Sequence, residues 1–174
     1  IGCLPDLLSD YRSLADSEVR RDFAETWGLS DLPRNPGLSS RNMISGIQSG
    51  DVKGMYLMQA NPSQFDLYGS NTLDYLKDLE FLVVQDIFMS ETAKMAHVVL
   101  PGASFAEKEG TFTNAERRVQ RLRRAVTPPG EAREDGWILN RLTSRMNASI
   151  AKELVPGEIM REIGQVTPSY QGVT

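Results

Sequence analysis

Gln59, Ala60 and Asn61 follow the apolar run "VKGMYLM", and Gln85 and Asp86 end the run "FLVVQ". A third run, "HVVLP", begins with His97 and stops at Pro101. Strands of an open parallel sheet bind ligands just outside their carboxyl ends. An acid there can accept hydrogen bonds from ribose hydroxyls or from the edge of a base. An Asp after an apolar strand is also a common turn former or helix cap, so both readings of Asp86 stand. The first turn lacks G-x-G-x-x-G, which argues against an ordinary NAD site. No G-x-x-x-x-G-K-[ST] is present, which excludes a phosphate-binding P-loop.

Other chemistry is sparse. Cys3 is the only cysteine and His97 the only histidine, whereas a structural zinc site or iron–sulfur cluster needs about three or four such ligands. A Cys-His nucleophile pair has no evident third group to orient it. Glu107 and Glu109 have no nucleophile to serve as acid or base. No residue is assigned a catalytic or a metal-binding role. The run "RRVQRLRR" carries five arginines at 117, 118, 121, 123 and 124. It has no aromatic neighbours on which bases would stack. It reads as a solvated or docking face rather than a nucleic-acid site.

The elements that would position these residues follow from periodicity and punctuation. Residues 1–17 read as an irregular lead-in. A helix opens at Ser17-Glu18, repeats Val19, Phe23 and Trp27, and stops at Gly28. A second helix, capped by Ser39 or Ser40, runs through Ile47 to Gly50. Strands are expected at 52–58, 81–85 and 97–101, with helical spacing at Leu73, Leu76 and Leu79 and a short helix at "ETAKMA". The run 81–85 is apolar on both faces, as in a parallel strand covered by helices. A β-hairpin over 110–126 turns near Asn114-Ala115. Helices then follow at Trp137–Met146 and Glu158–Ile163. The fold class is α/β: an open, mostly parallel sheet with flanking helices, then a β-hairpin and C-terminal helices. The expected division is a lead-in with two helices (1–50), an α/β binding part (51–103), and a hairpin with helices (104–174).

The 174 residues suffice for a real core, and the net charge of −4 gives no pull toward nucleic acid or an anionic membrane. No apolar run approaches the ~20 residues of a spanning helix, so no direct membrane insertion is expected. The chain starts at Ile1 with neither an initiator methionine nor a visible signal peptide, which reads as a piece of a longer protein. Localisation is not legible from it.

The segments "MYLMQANP", "FLVVQDIFMSETAKMAHVVLP", "EKEGTFTNAERRVQR" and "PPGEAREDGWILNRL", in that order, resemble the alpha (catalytic) subunit of formate dehydrogenases, of the molybdopterin oxidoreductase superfamily. The lead-in "LPDLLSDYRSLADSEVRRDFAETWG" resembles the same subunit, so the likeness covers nearly the whole chain. Periplasmic-type nitrate reductases and the large iron–sulfur subunit of NADH dehydrogenase are the alternatives within the superfamily. A stand-alone nucleotide-binding or protein-interaction module is the alternative outside it.

The resemblance implies a parent with molybdenum or tungsten on two pyranopterin guanine dinucleotides, a [4Fe–4S] cluster held outside this chain, and oxidation of formate to carbon dioxide. It implies as partners the remainder of the subunit and iron–sulfur or diaphorase-type electron-transfer subunits. For such a parent the cytoplasm is the expected location and the periplasm the alternative. Carried over residue by residue, it makes Gln59, Ala60, Asn61, Gln85, Asp86, Ser90, Thr92 and His97 the cofactor-binding set. Gln59 stands where the family usually has Gly, and His97 where it commonly has Asp. Glu109, Gly110, Asn114 and Glu116 match "E-G-T-F-T-N-x-E", with Arg117 where Gly is usual. The family's metal ligand is a cysteine or selenocysteine followed by His, and Cys3 is followed by Leu4.

The expectation that follows is an inactive chain. A metal-reconstituted, contaminant-free sample is expected to show no formate oxidation with an artificial electron acceptor, and measurable turnover would overturn that.

Overall fold

Local signals in the sequence set most of the elements in the computed structural model, which describes residues 4–62, 72–146 and 155–173. The lead-in is more ordered than its composition suggests. Strands β1 (Leu7–Leu8) and β2 (Arg12–Ser13) pair antiparallel around a 3-10 turn at Ser9–Tyr11. Helix α1 (Ser17–Trp27) starts at Asp16, whose carboxylate accepts from the Glu18 and Val19 amides. Helix α2 (Ser40–Ser49) is capped by Ser39 and ends at Gly50, whose φ of 80° suits a residue without a Cβ. Strand β3 (Gly54–Met58), helix α3 (Thr72–Lys77), strand β4 (Phe81–Asp86), helix α4 (Glu91–Lys94) and strand β5 (Val98–Pro101) follow. Strands β6 (Gly110–Thr113) and β7 (Val119–Leu122) form the antiparallel hairpin. Helices α5 (Asp135–Met146) and α6 (Pro156–Val166) follow, with a 3-10 turn at Pro168–Tyr170 after them.

Two compact units divide these elements. One, the sheet unit, comprises Leu38–Lys108 and Arg124–Ile138. Its three strands lie in the order β3-β4-β5, all parallel, with Tyr56 opposite Val83 and Val83 opposite Val98. Leu82 and Val84 are buried against Ile44, Ile47, Leu76, Leu79 and Ala93, which α2, α3, α4 and their flanks supply. The sequence led us to expect cover on both faces of β4. The alternating register instead leaves Tyr56, Met58, Phe81 and Val98 exposed on the other face. The helices α2, α3 and α4 pack against the Leu82 and Val84 face.

The other unit comprises Ile1–Gly37, Glu109–Arg123 and Leu139–Thr174. Its core joins Val19, Phe23, Ala24 and Leu32 to Val166, with Leu8 alongside. Arg12 reaches across this core. Its guanidinium donates to Asp22 Oδ2 (2.9 Å) and to the Val166 carbonyl (3.2 Å), and lies 5.6 Å from the Phe23 ring centroid. Asp10 accepts from the hydroxyl and the amide of Ser169, which hold its carboxyl below the usual range. In the hairpin turn, Asn114 Oδ1 accepts from the Glu116 and Arg118 amides, both at 2.9 Å. That closure forces Arg117 to φ 63°, a conformation suited to glycine.

Gly46 packs α2 against the segment entering β3. A Cβ there would lie 2.8 Å from Val52 Cγ2. Helix propensity favours Ala over Gly by about 1 kcal/mol, but overpacking against a stiff β-branched side chain costs about 1–3 kcal/mol. Gly46→Ala is therefore expected to lower the urea midpoint. In a Val52→Ala background the same change is expected to raise it.

Candidate functional site

Parallel pairing in register brings three carboxyl ends to one edge of the sheet unit. The ladder continues past the strands: Gln59 N donates to the Gln85 carbonyl (2.7 Å) and Gly102 N to the Asp86 carbonyl (3.0 Å). A returning segment then lies alongside β5. Arg133 N donates to the Pro101 carbonyl and Ala103 N to the Arg133 carbonyl, and Gly102 and Arg133 form a parallel bridge. Two residues later α5 begins with Asp135, whose carboxylate is thereby placed over the strand ends. Oδ1 lies 3.5 Å from where a Cβ on Gly102 would stand.

A connected polar network results. Asp135 accepts from Gln59 Nε2 at 3.1 and 3.0 Å, from Gln85 Nε2 at 2.5 Å, and from Lys108 Nζ at 2.5 Å. The Tyr56 hydroxyl donates to Gln85 Oε1. Partial burial, and after it the Asp135 charge, raise the Tyr56 phenol above its ordinary value. Tyr56 therefore remains a donor across the neutral range. Gln85 is completely buried, and its nitrogen and its oxygen both have partners inside the protein.

Asp86 has a divided role. Its Oδ1 accepts from the Ile87 amide (2.7 Å) and the Phe88 amide (3.3 Å), the turn-forming use of the residue. Among the described residues, its Oδ2 has only the distant Ser90 hydroxyl, at 3.5 Å. Ser90 caps α4 by accepting from the Ala93 amide. Thr92 is buried, and its hydroxyl donates to Asn61 Oδ1 at 2.7 Å. Ala60 is exposed between Gln59 and Asn61.

The eight residues singled out from the sequence thus separate. Gln59, Ala60, Asn61, Asp86 and Ser90 lie at the carboxyl edge. Gln85 and Thr92 lie there too, but beneath it, and hold their neighbours in place. His97 is not brought to this edge. It precedes β5, its Nδ1 accepts from the Leu82 amide at 3.0 Å, and its ring lies 5.8 Å from that of Phe81. It therefore stands at the amino edge, about 13 Å along the strand from Pro101, where it extends the β4–β5 pairing. Tyr56, Lys108 and Asp135 were not singled out from the sequence. Asp135 lies 76 positions from Gln59, and no local spacing relates the two. The only signal for it is an acid opening a helix after a short extended stretch.

Two acceptors at this edge, Asp86 Oδ2 and the Gln59 side-chain carbonyl, have no close partner among the described residues. The nearby cation, Lys108, is already paired with Asp135. That set fits hydroxyl or N–H donors, such as the nucleoside end of a dinucleotide cofactor, better than it fits phosphate. Among the described residues no cluster of three or more His, Cys, Asp or Glu can hold a metal ion. No described helix is long and apolar enough to cross a membrane.

Gln59 adopts φ 50°, a left-handed conformation that costs a residue with a Cβ about 1–2 kcal/mol. Gln59→Gly and Gln59→Ala both remove the amide, so their difference reports the backbone. The glycine variant is expected to be more stable by about 0.5–1 kcal/mol in urea unfolding, the reverse of the usual order in ordinary backbone.

Comparison with known proteins places this geometry. A family model described as molybdopterin oxidoreductase matches residues 10–145. The F420-dependent formate dehydrogenase subunit alpha of Methanocaldococcus jannaschii is 45% identical over 176 residues, covering 100% of this chain and 25% of that protein. The probable oxidoreductase YjgC of Bacillus subtilis is 40% identical over 173 residues, covering 99% and 17%. The chain thus spans about a sixth to a quarter of the length of these curated relatives. Among solved structures, acetylene hydratase from Pelobacter acetylenicus superposes with a TM-score of 0.58 at 20% identity, covering 90% of this chain and 22% of that one. This last likeness is one of fold. The family match spans most of the chain, from the first hairpin to the end of α5, and on that ground the chain belongs to the molybdopterin oxidoreductase family.

Proposed function

We propose that the carboxyl edge of β3-β4-β5 forms part of the binding site for a pyranopterin guanine dinucleotide in a formate dehydrogenase alpha subunit, with Asp86 and Gln59 facing the nucleoside end. The observation that carries this reading is the meeting of two acceptor groups, Asp86 Oδ2 and the Gln59 side-chain carbonyl, at the adjacent ends of parallel strands β4 and β3. The formate dehydrogenase alpha subunits among the relatives support the substrate. Membership of the family brings with it a molybdopterin cofactor carrying molybdenum or tungsten. When bound, that group supplies two-electron chemistry, formate yielding carbon dioxide, a proton and two electrons. A [4Fe–4S] cluster outside this chain and a separate electron-transfer subunit complete the proposal.

Within this reading the chain's own residues bind and orient. Asp86 keeps its loop closed through Oδ1 and offers Oδ2 as an anionic acceptor. Ser90 steadies that oxygen and caps α4. Thr92 fixes Asn61. Such a face is not a complete pocket. A few hydrogen bonds at about 1 kcal/mol each, set against about 4 kcal/mol or more of lost rigid-body freedom, give millimolar affinity at best for a free guanine nucleotide.

Asp86→Asn in a full-length protein carrying this chain is the direct test. Asn keeps the Oδ1 cap and replaces the outward acceptor with a donor. Losing a charge-assisted hydrogen bond costs about 1.5–3 kcal/mol, or about ten- to a hundredfold in cofactor affinity. Molybdenum (or tungsten) and pterin per polypeptide are expected to fall in Asp86→Asn and to hold in Glu107→Gln, whose residue only caps a turn at Ser104. Equal contents in the two variants would sink the assignment. Guanine nucleotide binding to the 174-residue chain tighter than ~10 µM would instead favour a self-sufficient nucleotide-binding module.

A further inference from the structure

We propose that Asp135 is the positioning residue of this edge, setting the direction in which Gln59 presents its amide; the role toward a ligand rests on the function proposed above. An ionised carboxylate can only accept hydrogen bonds. Gln59 Nε2 lies 3.1 and 3.0 Å from the two Asp135 oxygens, and Gln85 Nε2 lies 2.5 Å from one of them. Both amides must therefore turn their nitrogens toward Asp135. For buried Gln85, the oxygen is then taken by the Tyr56 hydroxyl. Gln59 is exposed, and its oxygen has no partner among the described residues. Its outward group is a carbonyl, a neutral acceptor at the end of β3.

Three further features make this arrangement firm. Asp135 is only 19% exposed, and Lys108 Nζ neutralises it at 2.5 Å. The segment before Asp135 is tied to β5 through Arg133 and Pro101. Gly102 leaves room for the carboxylate over the strand ends. Without Asp135 the Gln59 amide is free to rotate, and it then offers donor and acceptor alike. A ligand edge bearing N–H or O–H donors loses its fixed partner.

The test has two readouts. In the first, side-chain amide resonances of Gln59 and Gln85 are followed by NMR in the 174-residue chain. Both pairs are expected to exchange slowly with water in the wild type. In Asp135→Ala, Gln59 is expected to exchange about tenfold faster, as one charge-assisted bond would dictate. In the second, molybdenum and pterin per polypeptide are measured in the full-length protein carrying the chain. Asp135→Ala and Gln59→Met are both expected to lower them severalfold, Gln59→Met with the protein still folded and the Gln85 amide still protected.

A Gln59 amide that exchanges freely in the wild type would overturn the positioning role, whatever the edge binds. A loss of cofactor in Asp135→Ala without one in Gln59→Met would overturn it too, by reducing Asp135 to a structural support. Protected amides, together with full cofactor content in Asp86→Asn, Asp135→Ala and Gln59→Met, would overturn the role toward a ligand along with the function it rests on, and would leave the orientation of the amide as measured.

Discussion

A parallel ladder sends every strand out of the sheet at the same edge, and the site depends on that constraint. Tyr56, Val83 and Val98 stand side by side in register, so Met58, Asp86 and Pro101 finish within one or two residues of each other. The residues that follow cannot continue the ladder indefinitely. Pro62 and Pro101 lack the donor for it, and Gln59 turns into the left-handed region. Polar side chains and main-chain groups accumulate there, and a segment distant in sequence returns to pair with the end of β5. The carboxylate that ties the edge together arrives with that segment.

The same register explains why the network is partly buried. Gln85 lies on the face of β4 opposite Leu82 and Val84, yet it is as inaccessible as they are. An unpartnered amide would be costly at that depth, since a buried donor or acceptor without a bond loses about 1–3 kcal/mol. Tyr56 and Asp135 satisfy both of its ends. Lys108 in turn offsets the charge of Asp135. Each member is there because the previous one needs a partner, and the chain of needs ends at the exposed Gln59. The network thus holds the amides of Gln59 and Gln85 with the chain's own atoms.

Local physics made most of the framework legible. Ser17-Glu18 and Gly28 marked the ends of α1, Ser39 and Gly50 those of α2, and Asn114 the hairpin turn, because capping and turn chemistry act over three or four residues; the cap of α1 itself is Asp16, one residue earlier. The apolar runs located β3, β4 and β5 for the same reason. What escaped was non-local. The pairing of Leu7–Leu8 with Arg12–Ser13 is too short to leave a periodicity. The exposed face of β4 was misread because Phe81 and Val83 are apolar whether or not anything covers them. His97 adjoins a strand as expected, but strand direction puts it at the wrong edge, where its imidazole accepts from Leu82. Asp135 and Lys108 became visible as site residues only when the return of 132–135 along β5 was known.

The division of the chain also orders its assembly in time. All residues of the sheet unit exist once Ile138 has been added, whereas the other unit needs Leu139–Thr174 to supply Val166 for its core and Ser169 for Asp10. During vectorial synthesis the first helix and its Phe23 must therefore wait, partly uncovered, while the parallel sheet that follows them in sequence already has every strand. Segments so delayed are where chaperones engage a nascent chain. Here that burden falls on residues made before the sheet rather than on those made after it.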